Sequence, residues 1–168
     1  MENKNTISFS DPETRQIFLE WWENLDESRG KRAELRHCHN IVEVVFTPSF
    51  HSLRKELKEF RINQEALAAI AGVLSHVKSS DTNSSLSAQM STPKQGSQKA
   101  VVSDLRFRRL LTIQDRNDLF TTMIRIVRLL DGRVNIFDLA KSIYFWNERT
   151  KKRLAYEYYE NIPVEKKK

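Results

Sequence analysis

Apolar residues recur three and four positions apart along most of this chain, the spacing that buries one face of a helix. The clearest series lies between Asp104 and Tyr159, where Leu105, Phe107, Leu110, Leu111, Leu119, Phe120, Met123, Ile124, Val127 and Leu130 carry the stripe. It predicts helices over about 104–111, 115–131, 135–146 and 148–160. Gly132 ends the second of these as a left-handed terminal residue does, and Asn135 with Asp138 reads as the cap of the third. Ile143, Tyr144, Trp146, Leu154, Tyr158 and Tyr159 supply core and rim to this four-helix unit.

The first half has the same grammar. Ser10 or Asp11 caps a helix opened by Pro12 and Glu13, with Ile17, Phe18, Trp21, Trp22 and Leu25 as its buried stripe. Adjacent indoles can stack on bases, but in register with Phe18 and Leu25 they read as core. Gly30 breaks the pattern, and a short basic helix with Lys31, Arg32, Leu35 and Arg36 follows. The run Ile41–Phe46 has strand propensity but no partner strand, so it reads as a short helix or turn. Pro48 opens a helix through Phe50, Leu53 and Leu57, and Asn63 caps an Ala-rich one from Gln64 to about Val77.

From Ser79 to Lys99 the chain turns to Ser, Thr, Asn, Gln and Lys, with Pro93 and Gly96. Such a composition buries too little apolar surface to offset its ordering entropy, which predicts a mobile connection. Leu86 and Met90, four apart, are the exception and are placed to dock as one turn. The expected fold is therefore all-α: two small helical bundles, 1–78 and 100–168, joined by a polar flexible loop over 79–99.

Composition adds limits. The 168 residues, 39% hydrophobic, suffice for a real core, and 4 Gly with 4 Pro leave little turn chemistry for an all-β fold. A single Cys38 excludes an internal disulfide framework and suits a reducing compartment. Glu2 and Lys4 stand where a secretion signal would be apolar, so the expected location is cytoplasmic. No run approaches the length of about 18 apolar residues that a spanning helix needs.

Charge changes the picture most. Residues 100–155 hold 12 Lys and Arg against 6 Asp and Glu, whereas residues 1–99 hold 13 of each and residues 156–168 hold 3 of each. The net charge of +6 thus sits in one third of the chain. Arg106, Arg108, Arg109, Arg116, Arg125, Arg128 and Arg133 fill the polar face of the helical stripe, and a forked, permanently charged donor suits phosphate. Concentrated positive charge of this kind draws polyanions, so nucleic acid is the leading partner class. Arg116 and Arg125, nine apart, lie about 180° from each other on a helix and cannot share one groove.

Catalytic constellations are thin. His37, Cys38 and His39 are consecutive and splay about 100° apart on a helix, and His51 and His76 are distant. Neither a Gly-rich phosphate loop nor a zinc-protease helix nor a serine elbow is present. Asp104, Asp115, Asp118, Asp131 and Asp138 fall at helix starts or ends, where capping explains them. The expectation is a binding protein without catalysis, cofactor or metal.

Several segments then carry a resemblance: Arg106-Phe107, Leu110-Leu111, Asp115-Arg116, Arg128-Leu129-Leu130, Ala140 to Trp146 and Tyr158-Tyr159. In the first half it continues through Phe18, Trp21, Leu25, Ala33, Leu35-Arg36 and Pro48-Ser49-Phe50. In order and spacing these resemble the CasB family, the small subunit of the type I-E CRISPR surveillance complex Cascade. The resemblance implies a non-catalytic helical subunit, present beside a second copy of itself, the large subunit and the backbone subunits. It implies contacts with CRISPR RNA and target DNA that stabilise an opened target. The family's basic residues fall on Arg36, Arg61, Arg106, Arg109, Arg116, Arg128 and Arg149, with Arg106 and Arg116 open to a structural role instead. His37 and the run Ser85-Leu86-Ser87-Ala88 depart from the family pattern. The competing expectation is a freestanding helical nucleic-acid-binding regulator, with the helices near Asp115 and Asn135 mimicking a helix-turn-helix.

Overall fold

The computed structural model describes residues 3–164; Glu2 and the terminal Glu165–Lys168, on which parts of the location and charge readings rest, lie outside them. The fold is all-α, and the described residues form ten helices and two minimal strand pairs: β1 (Asn5–Thr6), α1 (Pro12–Asn24), α2 (Arg29–Arg36), α3 (Ile41–Val45), α4 (Pro48–Glu56), β2 (Phe60–Arg61), α5 (Gln64–Leu74), β3 (Ser79–Ser80), α6 (Leu86–Ser91), α7 (Asp104–Leu111), α8 (Arg116–Leu129), β4 (Arg133–Val134), α9 (Ile136–Tyr144) and α10 (Glu148–Asn161). Strand β1 pairs in parallel with β2, and β3 with β4.

Side-chain caps set the helix starts. Asp11, Asn63, Asp115 and Asn135 each accept the N–H three residues on, which satisfies an amide the helix cannot use. Helix α2 lacks such a cap, and Gly30 lies inside its first turn instead of before it. The run Ile41–Phe46 is helical over its first five residues, since Asn40 caps it from Glu43 N–H.

Helix α5 organises the interior. Every residue from Ala66 to Leu74 is buried, and its small side chains let α2, α3, α4, α8 and α9 pack against it. The two helical clusters thereby share α5, and one continuous apolar core runs from Ile7 to Tyr158. At Gly72 an added Cβ would collide with the Phe120 ring, so close helix approach requires glycine there. Trp21 Nε1 donates to Ser49 O at 2.9 Å and Trp22 Nε1 to Leu74 O at 3.1 Å, so both indoles are core.

Two expectations need correction. Leu105, assigned to the buried stripe, is 50% exposed, because Phe107 and Leu110 set the inward face of α7. Residues 79–99 are not a structureless connection: β3 and α6 form there, with Leu86 and Met90 buried and α6 packed on α10. The polar side chains are spent on specific partners. Ser87 Oγ donates to Leu154 O at 3.0 Å, Gln89 Oε1 accepts Asn135 N–H at 2.9 Å, and Asp138 Oδ2 accepts Leu86 N–H at 2.7 Å.

Candidate nucleic-acid interface

Helices α7 and α8 are built alike. Ser103 caps α7, which buries Phe107 and Leu110 and leaves Arg106 and Arg109 outward on one side. Asp115 caps α8, which buries Leu119, Phe120, Met123, Ile124, Ile126 and Val127 and leaves Arg125 and Arg128 outward. Pairs three apart share a helix face. An open groove of about 780 Å³ runs between the helices, lined by Arg106, Arg109, Arg125 and Arg128, with Asp118, Thr121 and Thr122 beside them and Ile113, Ile126 and Leu129 among its apolar lining residues.

These four guanidiniums engage no side-chain hydrogen bond or ion pair among the described residues. Their neighbours differ. Arg108 pairs with Asp104 at 3.0 Å, Arg133 with Asp81 at 3.1 Å and Arg153 with Asp138 at 3.0 Å. The groove thus concentrates uncompensated positive charge around one carboxylate, Asp118, over an apolar lining, and such a cleft focuses a field that attracts polyanions.

The other residues singled out by sequence fall elsewhere. Arg116 is half-buried, and its Nη1 donates to Ile143 O at 2.9 Å, at the end of α9. Burial pulls its guanidinium below the ordinary arginine range, while Glu65 and Tyr144 pull it back up. Arg36 is exposed on α2 and donates from Nε to Ser75 O at 2.8 Å. Arg61 is exposed on β2. Arg149 is exposed in the first turn of α10, where it lines a separate trough of about 420 Å³ with Lys141 and Arg153. Arg106, Arg109 and Arg128 therefore share one groove, and Arg36, Arg61, Arg116 and Arg149 do not line it. Arg125 completes the groove and was absent from the family-matched set; its place three residues before Arg128 was the available signal.

Among the described residues no group of three or more His, Cys, Asp or Glu converges as metal ligands. Asp115 and Asp138 accept cap or inter-helix hydrogen bonds. Burial, then Glu43 and Glu34, push the Cys38 thiol up, away from a reactive thiolate. No described helix is long and apolar enough to cross a membrane.

A family model for CRISPR-associated protein Cse2 matches residues 31–159. The chain belongs to the Cse2 family. This is the family that the sequence resembles under the name CasB. The match spans α2 through most of α10 and so contains both helices of the arginine groove. No curated protein matches. Among solved structures, one chain of the crystal structure of E. coli Cascade bound to a PAM-containing dsDNA target is similar, with a TM-score of 0.67 and 17% identity over 88% of this chain and 94% of that chain. At that identity the likeness is one of fold alone.

Proposed function

We propose that this Cse2-family chain is a non-catalytic small subunit of a type I-E Cascade-type complex, acting in the cytoplasm and holding nucleic-acid backbone on its basic face. Its partners would be CRISPR RNA, target DNA, a second copy of itself, and the large and backbone subunits. The observation that carries this reading is the α7/α8 groove, in which Arg106, Arg109, Arg125 and Arg128 stand without side-chain partners among the described residues. Replacing duplex by guide–target hybrid is a nearly balanced exchange, so a few backbone contacts to the opened strands can tip it. Arg36, Arg61 and Arg149 extend the same function to other strand segments, and Arg116 serves the fold by holding the end of α9.

The test is reconstitution with the remaining Cascade subunits and a guide RNA. The chain should co-elute with the complex, and replacing the four groove arginines by Ala should preserve co-elution while reducing permanganate-detected opening of a matched duplex. Tight, sequence-specific binding of a duplex by the isolated chain would favour the freestanding regulator instead.

A further inference from the structure

The C-terminal ends of α5 and α8 meet beside the arginine groove. Lys78 N–H donates to Gly132 O at 2.8 Å, and Ser79 N–H donates to the same carbonyl at 3.2 Å. The chain leaving α5 therefore lies against the turn that leaves α8. Arg128 stands in the last turn of α8, one turn before Gly132. Helix α2 also lays two arginines on the end of α5: Arg32 Nη1 donates to Ser75 O and Val77 O at 3.1 and 3.0 Å, and Arg36 Nε donates to Ser75 O at 2.8 Å. His76 sits among them.

The donors at this junction are unequally spent. Arg32 is buried, and it also donates to Asp26 Oδ1 at 2.8 Å and Trp22 O at 3.2 Å, so it accounts for the cation that a helix C-terminus favours. Arg36 is exposed and uses only Nε, leaving both terminal nitrogens of its fork. Arg128 is exposed with no side-chain partner among the described residues. His76 is half-buried, and its Nε2 is shut from solvent with no partner among the described residues. Burial, then Arg128 and Arg36, push its imidazole down to about 4. The charged groups that act on the ring are Arg128 from α8 and Arg36 from α2, and the neighbouring Arg32 on α2 is already paired with Asp26. What the junction lacks is an anion.

We propose that Arg36, His76 and Arg128 form one phosphodiester site at the α5–α8 junction, and that His76 takes up a solvent proton as the phosphate settles there. This rests on the nucleic-acid reading above and extends it: a strand leaving the α7/α8 groove past Arg128 continues onto α2 at Arg36. A phosphodiester keeps a single negative charge across neutral and mildly acid pH. It pairs with both guanidinium forks, cancels their repulsion of an imidazolium, and leaves only burial opposing the proton. Binding and protonation then strengthen each other by the same factor.

The test uses the full chain and a short oligothymidylate, whose bases do not titrate between pH 5 and 7. The His76 ring is followed by NMR through a pH titration with and without saturating oligonucleotide, and Kd is measured at constant salt. The His76 midpoint should rise by about one unit, and Kd should be about twofold tighter at pH 5 than at pH 7, because the free midpoint of about 4 lies below that window and the full tenfold of a one-unit shift is realised only below both midpoints. R128A should leave the midpoint unmoved by oligonucleotide, H76Q should remove most of the pH dependence, and H37Q should retain it. Because the midpoint is read on the unsubstituted chain, the outcome stands even if H76Q folds poorly. Salt-dependent binding with a stationary His76 midpoint would overturn this site and leave the proposed function intact. Absence of oligonucleotide binding at every salt concentration would overturn both.

Discussion

Arg116 reaches from the first turn of α8 to the Ile143 carbonyl, 2.9 Å away, and so closes the last turn of α9. Nine residues on, Arg125 faces the opposite side and has no internal partner among the described residues. Two arginines of one helix thus do different work. One holds the fold, and one is free for a ligand. Arg116→Ala should lower stability by about 1–2 kcal/mol, a charge-assisted hydrogen bond discounted for a half-exposed side chain, whereas Arg125→Ala should stay within about 0.5 kcal/mol of the parent. Urea unfolding midpoints at unchanged slope would separate the two.

Gly72 lies under the Phe120 ring, with Val44 alongside, and both are buried. Alanine would gain up to about 1 kcal/mol of helix propensity, but the added methyl has to displace a packed aromatic ring, at about 1–3 kcal/mol. The expected net is a lower thermal midpoint for Gly72→Ala, with α3, α5 and α8 pushed apart. A raised midpoint would show that the ring yields freely.

Helix α6 should behave as part of the core. Leu86 and Met90 are fully buried, so Leu86→Ala should cost about 2–5 kcal/mol. Limited proteolysis should cut in the exposed stretch 94–99 before it cuts in 86–91.

Phe107 and Tyr158 stack with centroids 3.9 Å apart and planes 7° apart, while Tyr158 Oη donates to Val102 O at 2.6 Å. Tyr158→Phe keeps the stack but strands a buried carbonyl, at about 1–3 kcal/mol. Burial, then Asp104 and Tyr159, push the Tyr158 phenol up to about 12 from 10.0. Between those values the unfolded chain releases its proton first, so stability should fall as pH rises above about 10, and Tyr158→Phe should flatten that alkaline limb. At the acid end the sign reverses. His76 titrates at about 4 when folded against 6.5 ordinarily, so the unfolded chain gains a proton first and stability should fall from about pH 6.5 towards 4.

Much of this architecture was legible because its signals are local. Asp11, Asn63, Asp115 and Asn135 act within three residues of themselves, and the stripe from Phe107 to Val127 repeats often enough to define a face. Ile7 and Phe9 are buried by a parallel pairing of β1 with β2 across more than fifty residues, for which two apolar positions carry no readable period. The order in 79–99 escaped for a related reason, since Gln89 and Ser87 spend their polarity on partners in distant helices. For the interface, sequence displays the guanidiniums but not their partners. Arg32 and Arg36 share a short helix, yet one is spent on buried carbonyls and the other keeps most of its donors.

The central claim is that the α7/α8 guanidiniums neutralise sugar-phosphate backbone, and the salt dependence of single-strand binding tests it most directly. For the parent chain log Kd should rise linearly with log salt, and converting Arg106, Arg109, Arg125 and Arg128 to Ala should lower the slope by about 0.7 for each phosphate no longer neutralised, with the fold unchanged by circular dichroism. A slope identical in the parent and the four-arginine variant would contradict it.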